Sequence, residues 1–200
     1  MAKQTYTSAV RAAAARETRA AVLRAAGKLF AEQGFAQTTV AGIARQAGVA
    51  LNTVYTSVGG KPALIEALVE DSTGDEHIDE SLKGVFAADD PRLVLRLLAE
   101  GTAESTRRHE QVLNLLFDNI TADPVVATAA SRAVERYRER LGRVADHLVT
   151  LGVRTDRERT EQILWFYFGR GGWRTVRELG WDWAEGAGWL ADQAGAALLP

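Results

Sequence analysis

Between Thr38 and Lys61 the chain reads TTVAGIARQAGVALNTVYTSVGGK, and this segment limits the fold more than any other. Ala44, Gly48 and Val54 sit four and six residues apart, with Ile43, Ala47 and Val49 beside them. That spacing describes two short helices crossing through a tight turn. Small Ala44 lets the second helix approach, Gly48 can take the positive φ that the turn needs, and Val54 plugs the joint. A bihelical unit this small buries too little to stand alone. Its usual purpose is to hold the second helix outward, in a shape that fits the major groove of DNA.

Charge points the same way. Residues 1–62 hold eight Lys and Arg against two acids, while residues 63–200 hold sixteen against twenty-four. The formal net charge of −2 thus conceals a basic N-terminal third, suited to a polyanion, on an acidic body. The 200 residues, 46% hydrophobic and 25% charged, suffice for a real core. Cysteine is absent, which excludes disulfides, thiol catalysis and thiolate metal sites. No apolar run approaches the roughly 18 residues of a membrane span, and no apolar segment marks a signal peptide. A cytoplasmic protein is expected.

Helical periodicity is everywhere and strand alternation is missing, so the expectation is an all-α fold of about nine helices. Residues 1–15 read as an arm or a frayed helix start, carrying Lys3 and Arg11. The first firm helix runs to about Gln33, with Val22, Leu23, Ala26, Leu29 and Phe30 as its apolar stripe. Gly34 serves as an αL stop, with Phe35 folding back. Short helices follow at about 39–46 and 50–57, and another opens near Lys61. Residues 72–89 read as partly loop. Further helices are expected at about 91–107, 110–120, 124–150, 156–179 and 183–198. Their starts are marked by Asp90-Pro91, Asp123-Pro124, Thr155 with Glu158, and Asp182 with Glu185. The expected division is 1–60 for the helix-turn-helix domain and 61–200 for a second helical domain.

The order T-x-V-x-x-I-A-x-x-A-G-V, then V-Y at Val54-Tyr55, then Lys61, behind a preceding helix, resembles the tetracycline-repressor (TetR) family of transcriptional regulators. The likeness is close over the first 70 residues and architectural beyond them. It implies a homodimer that binds an inverted-repeat operator on double-stranded DNA and responds to a small-molecule effector held by the C-terminal domain. It also implies that the Tyr55 hydroxyl meets a phosphate. The chain departs from the family at Ala50, usually Ser, and at Gly42, where an acid is usual. Val58 replaces an aromatic and Pro62 a Glu. The first two departures remove helix caps.

Lys61 opens a helix, where its charge opposes the macrodipole unless an anion is bound. The alternative is a solvated surface lysine. Leu51, Asn52 and Thr53 occupy the first turn of the recognition helix. Two readings of Asn52 stand: a bidentate pair with adenine, or a substitute N-cap for Ala50. Thr39 and Thr56 are candidate phosphate contacts, with Thr39 alternatively a simple cap. Arg45 is a solvated or phosphate-facing charge.

Trp165, Phe166, Tyr167 and Phe168 put aromatics on every side of one helix, so part of it should face a second subunit. Gly169, Gly171 and Gly172 then permit close helix approach or mark a break. Trp183, Ala187, Leu190, Ala194 and Leu198 form the expected stripe of the last helix at that seam. A largely apolar effector pocket is expected among Phe86, Leu97, Leu113, Phe117, Tyr137, Trp165 and Phe168, with Asn114 and His109 as polar anchors. Each of these also fits a filled core. His77, His109 and His147 have no paired-ligand spacing, so neither a metal site nor a cofactor is expected. Glu104 and Glu110 near His109 form no catalytic constellation, and the chain is not read as an enzyme. The alternative function is an all-α ligand-binding or scaffold protein that has lost operator binding.

Overall fold

A computed structural model describes residues 2–74, 76–121 and 123–200. The described residues are helices joined by short turns: α1 (Ala2–Gln37), α2 (Val40–Ala47), α3 (Leu51–Ser57), α4 (Lys61–Thr73), α5 (Glu76–Ala87), α6 (Pro91–Arg108), α7 (Glu110–Asp118), α8 (Pro124–Thr150), α9 (Arg157–Phe168), α10 (Arg170–Glu178) and α11 (Trp183–Leu198). The all-α architecture is the expected one. Two segments join the nine foreseen. The stretch read as partly loop folds into α5, and the helix foreseen at 156–179 breaks at Gly169 into α9 and α10. Asp75, within the first of these stretches, lies outside the described residues.

The foreseen N-terminal arm is also helical, since α1 begins at Ala2; Met1 lies outside the described residues. Gly34 does interrupt α1, but at φ 77 and ψ 160 it is extended with positive φ, not αL. Phe35 folds back onto Phe30, with ring centroids 5.1 Å apart. Aspartates start the later helices: Asp90 accepts from Arg92 N, Asp123 from Val125 N, and Asp182 from Glu185 N. At α9 the cap is Asp156, which accepts from Arg159 N at 2.8 Å, one residue beyond the Thr155 expected. A carboxylate is a stronger acceptor than a hydroxyl, so Asp156 takes the position.

The chain divides into two compact units. The first comprises residues 1–72 and 111–131, the second 73–110 and 132–200. This division differs from the expected boundary at residue 60, because α4 and the 111–131 segment group with the N-terminal helices. The first unit buries Val22, Ala26, Leu29, Phe30, Ile43, Val54, Leu64 and Ile65. The second is built around Leu95, Leu98, Leu141, Val144, Leu148, Leu164, Phe168, Trp173, Leu190 and Leu198. Its last helix is tied down at its C-terminal end. The Arg154 amide donates to Leu198 O at 2.9 Å, and its guanidinium donates to Ala197 O and Ala196 O. A cation there also complements the helix dipole.

Four expected seam residues, Ala187, Leu190, Ala194 and Leu198, are buried in this same core at no more than 4% exposure. They are consumed within the chain, which corrects their assignment to a surface seam. Trp183 is half-buried against the core, its ring tilted against that of Trp173 with centroids 5.8 Å apart. The exposed face of α11 carries Ala184, Glu185, Gly188, Trp189, Asp192 and Ala196 instead.

Candidate nucleic-acid interface

The first unit builds its exposed surface from local chemistry. Thr39 caps α2 by accepting from Gly42 N at 3.0 Å, without help from an acid at Gly42. At the other end Gly48 adopts φ 69, ψ 28; its amide donates to Arg45 O and the Val49 amide to Ala44 O at 3.0 Å. This paired closure is a Schellman motif, and it requires the left-handed residue that glycine supplies. The turn thereby fixes α3 against α2, with Ile43, Ala44 and Val54 sealed in the joint. Ala50 precedes α3 and offers no side-chain cap. Asn52 does not replace it, because it lies inside α3 and is exposed.

With Val54 turned inward, α3 turns Leu51, Asn52, Tyr55 and Thr56 outward. These positions are i, i+1, i+4 and i+5, one face of a helix. Leu51 is 46% and Tyr55 52% exposed, an unusual outlay of apolar surface for a protein without a partner. Thr53 is half-buried. The Thr56 hydroxyl lies 3.0 Å from Asn52 O and 3.2 Å from Thr53 O, so its proton stays on its own helix and its lone pairs face outward. Arg45 and Thr39 are exposed on and beside α2.

Lys61 is neither freely solvated nor poised solely for an anion. Its Nζ donates to Ala36 O at 3.2 Å and sits 4.4 Å from the centre of the Phe35 ring. The charge therefore satisfies a carbonyl near the end of α1, which offsets its awkward place at the start of α4. An ammonium has three donors, so others remain for a phosphate. Arg19, which the motif did not single out, and Thr38, the residue that opens it, hold this geometry. Arg19 Nη1 donates to Ser57 O at 3.0 Å, at the C-terminal end of α3. The buried Thr38 hydroxyl lies 2.8 Å from Gly34 O and 3.1 Å from Leu29 O, securing the entry to α2. Arg19 was visible as a cation three residues before Val22, in line with the apolar stripe of α1.

The expected effector residues do not form one group. Leu113, Asn114 and Phe117 belong to the first unit, the others to the second. Asn114 is exposed, and His109 ends α6 with its amide donating to Ser105 O. In the second unit Tyr137, Trp165 and Phe168 do meet. The Tyr137 hydroxyl donates to Phe168 O at 2.7 Å, and its ring lies 6.0 Å from that of Trp165. Burial pushes the Tyr137 hydroxyl well above the ordinary tyrosine range, so it stays protonated. Phe86 packs elsewhere, edge-on to His147 and beneath the Arg143 guanidinium, and His147 Nε2 is 2.9 Å from Ala88 O. Leu97 is half-buried against the same core. An open cleft of about 540 Å³ lies in the first unit among Leu23, Arg24, Lys28, Leu68, Asp71 and Val112, and none of the expected pocket residues borders it. Among the described residues no group of three His, Cys, Asp or Glu could hold a metal ion. No described helix is long and apolar enough to cross a membrane.

The first unit is thus a helix-turn-helix module with an outward second helix. Residues 22–68 match the family described as bacterial regulatory proteins, tetR family, and this module belongs to that family. The HTH-type transcriptional regulator TtgR of Pseudomonas putida is 34% identical over 108 residues, 50% of each chain. The chain thus spans about half the length of this curated relative. The fold is shared more widely. The SmeT–triclosan complex superposes with a TM-score of 0.75 at 19% identity, covering 92% of each chain. The FadR regulator of Bacillus subtilis in complex with stearoyl-CoA gives 0.71 at 16% identity, covering 87% of this chain and 96% of that one.

Proposed function

We propose that the protein is a ligand-responsive transcriptional regulator, a repressor that binds an inverted-repeat operator as a homodimer and is released by a small apolar or aromatic effector. The observation that carries this is the outward face of α3, where Leu51, Asn52, Tyr55 and Thr56 are presented by a sealed joint. Asn52 pairs with adenine, Leu51 touches a thymine methyl, and Tyr55, Thr39, Thr56, Arg45 and Lys61 contact phosphates, with Thr53 at the edge of the contact. The same face argues against a scaffold that has lost operator binding, since such a protein has no use for it.

The dimer seam uses the exposed aromatics of the second unit: Phe166, 72% exposed on α9, and Trp189, 46% exposed on α11 and in T-shaped contact with Trp181. Two-fold symmetry then places the recognition helices about 34–36 Å apart, or a multiple of that. Effector binding belongs to the second unit, around Tyr137, Trp165 and Phe168. The ligands in the SmeT and FadR complexes, triclosan and stearoyl-CoA, both carry large apolar portions, which supports an apolar effector. The buried Trp173 indole N–H has no acceptor among the described residues, so an effector bearing an acceptor gains a bond the core leaves unmade. Such a ligand acts only through unequal affinity for the two spacings of the recognition helices.

Gel-shift and footprinting on DNA from upstream of the protein's own gene test the reading. Protection of an inverted repeat, relieved by aromatic compounds that also quench tryptophan fluorescence, is the expected result. Equal affinity for upstream and random fragments would sink it.

A further inference from the structure

Helix α1 carries an exposed stretch ahead of its packed part. Every residue from Val10 to Glu17 is exposed, and the buried stripe that follows them starts at Val22. At 1.5 Å per residue, this exposed stretch from Val10 to Glu17 extends about 12 Å. Helices that bury nothing are marginal even when rich in alanine, as Ala12 to Ala15 make this one. Such a stretch calls for a partner.

Its charges say which kind. Up to Arg16 every charged residue is a cation: Lys3, Arg11 and Arg16. At about 100° per residue, Arg11, Arg16 and Arg19 fall within about 140° of one another. That side continues downward as Val22, Ala26 and Leu29, the side packed within the helix-turn-helix module. Glu17 falls on the other side. Arg19 fixes the register, because its guanidinium donates to Ser57 O at the end of α3. Beyond that anchor, Arg16 and Arg11 follow at one and about two turns. Among the described residues no carboxylate pairs with either. A stripe of unpaired arginines thus runs on from the end of the recognition helix, within the same compact unit.

We propose that the N-terminal extension of α1 is a second, sequence-independent contact to DNA, in which Arg11 and Arg16 neutralise backbone phosphates flanking the half-site read by α3. This rests on the operator-binding reading above and adds a surface to it. Arginine suits the task, because its planar fork grips phosphate oxygens in pairs while ignoring base sequence.

The test uses the full chain, an Arg11→Gln/Arg16→Gln variant and an Arg11→Lys/Arg16→Lys variant. Affinity is measured from 50 to 200 mM salt on two operator duplexes, one ending at the half-sites and one extended by about ten base pairs at each end. Four charges are lost per dimer, so the Gln variant should lower the salt slope by up to about 3.6 on the long duplex. On the short duplex it should match the wild type. The Lys variant, which keeps the charge, should behave as wild type on both. Equal slopes for wild type and Gln variant on the long duplex, with operator specificity intact, would overturn the proposal and leave the regulator reading standing. So would a changed oligomeric state with an unchanged slope, which assigns the extension to a second copy of the chain. Absence of specific binding by the wild type on either duplex would instead remove the reading on which the proposal rests.

Discussion

The two units treat exposed and buried aromatic surface in opposite ways. In the first, the residues that matter most for the proposed function are outside, and the core exists to aim them. Tyr55 and Leu51 are half-exposed while Val54 between them is sealed. In the second, most of the aromatic and aliphatic side chains credited with binding tasks are inside. Phe168 and Leu198 are fully buried, while Phe166 and Trp189, with Leu93, Val149 and Leu179, reach the surface. A short motif with a near-complete set of local contacts advertises its exposed face. A long bundle does not, because each helix has several neighbours competing for its apolar side.

The sharpest way to break this comparison is a pair of neighbouring substitutions on α11. Leu190→Arg puts an unpaired charge at a site that is 3% exposed, and should cost about 3–5 kcal/mol or abolish folding, as seen by circular dichroism melts. Trp189→Arg, one residue away and exposed, should leave the melt within about 1 kcal/mol but dissociate the proposed dimer in light scattering. If both variants fold and remain dimeric, α11 is neither core nor seam as described.

A second substitution tests how far the first unit depends on its turn. Gly48→Val forces a β-branched residue into φ 69, where a Cβ meets no clash but the backbone is strained. The expected loss is about 1–2 kcal/mol, confined to the N-terminal unit in hydrogen exchange and accompanied by weaker operator binding. Asn52→Ala should then cost about 1–3 kcal/mol of discrimination at one position per half-site, with little change in the melt. Tyr55→Phe should weaken all sequences alike and leave the salt slope unchanged, since it removes a hydrogen bond and not a charge.

Lys61→Met separates two roles. Loss of its bond to Ala36 O and its place over Phe35 should cost about 1 kcal/mol of stability. A fall in salt slope of up to about 0.9 per subunit would add the phosphate role. The smallest effect lies on α6. Hydrogen bonds from Arg107, then Arg108, hold the Glu104 carboxyl at about 2, below its usual 4.5. A depressed carboxylate stabilises above its ordinary value and loses that contribution as pH falls toward the depressed one. Glu104→Gln should therefore melt less than about 1 kcal/mol below wild type at pH 7, with the difference fading between about pH 4 and 2.

Legibility in the sequence follows contact distance along the chain. Thr39 caps a helix through an atom three residues away, and Gly48 closes a turn on residues three to four back. Those relations are written in spacing, so the joint, the outward face and most of the helix starts could be read directly. Lys61 was legible as a cation at a helix start, but its partner Ala36 lies 25 residues back and was not. In the second unit the deciding contacts span still more chain. Tyr137 reaches Phe168, His147 reaches Ala88, and Arg154 caps α11 from over 40 residues away. The stripe of Ala187, Leu190, Ala194 and Leu198 was read correctly as apolar. Periodicity cannot say whether such a stripe meets its own chain or another.

What the amino-acid order determined alone is the helical fold, the helix-turn-helix joint and the polarity of charge along the chain. Each depends on backbone preference, on side chains within a turn or two, or on simple summation. Only the tertiary structure decided that α11 spends its regular stripe inward and leaves Trp189 outside. It alone brought Leu113, Asn114 and Phe117 into a different unit from Tyr137, and showed that α1 runs exposed from Val10 to Glu17 ahead of its buried stripe. Those outcomes depend on which distant surfaces bury each other best, a competition among whole helices that no local pattern encodes.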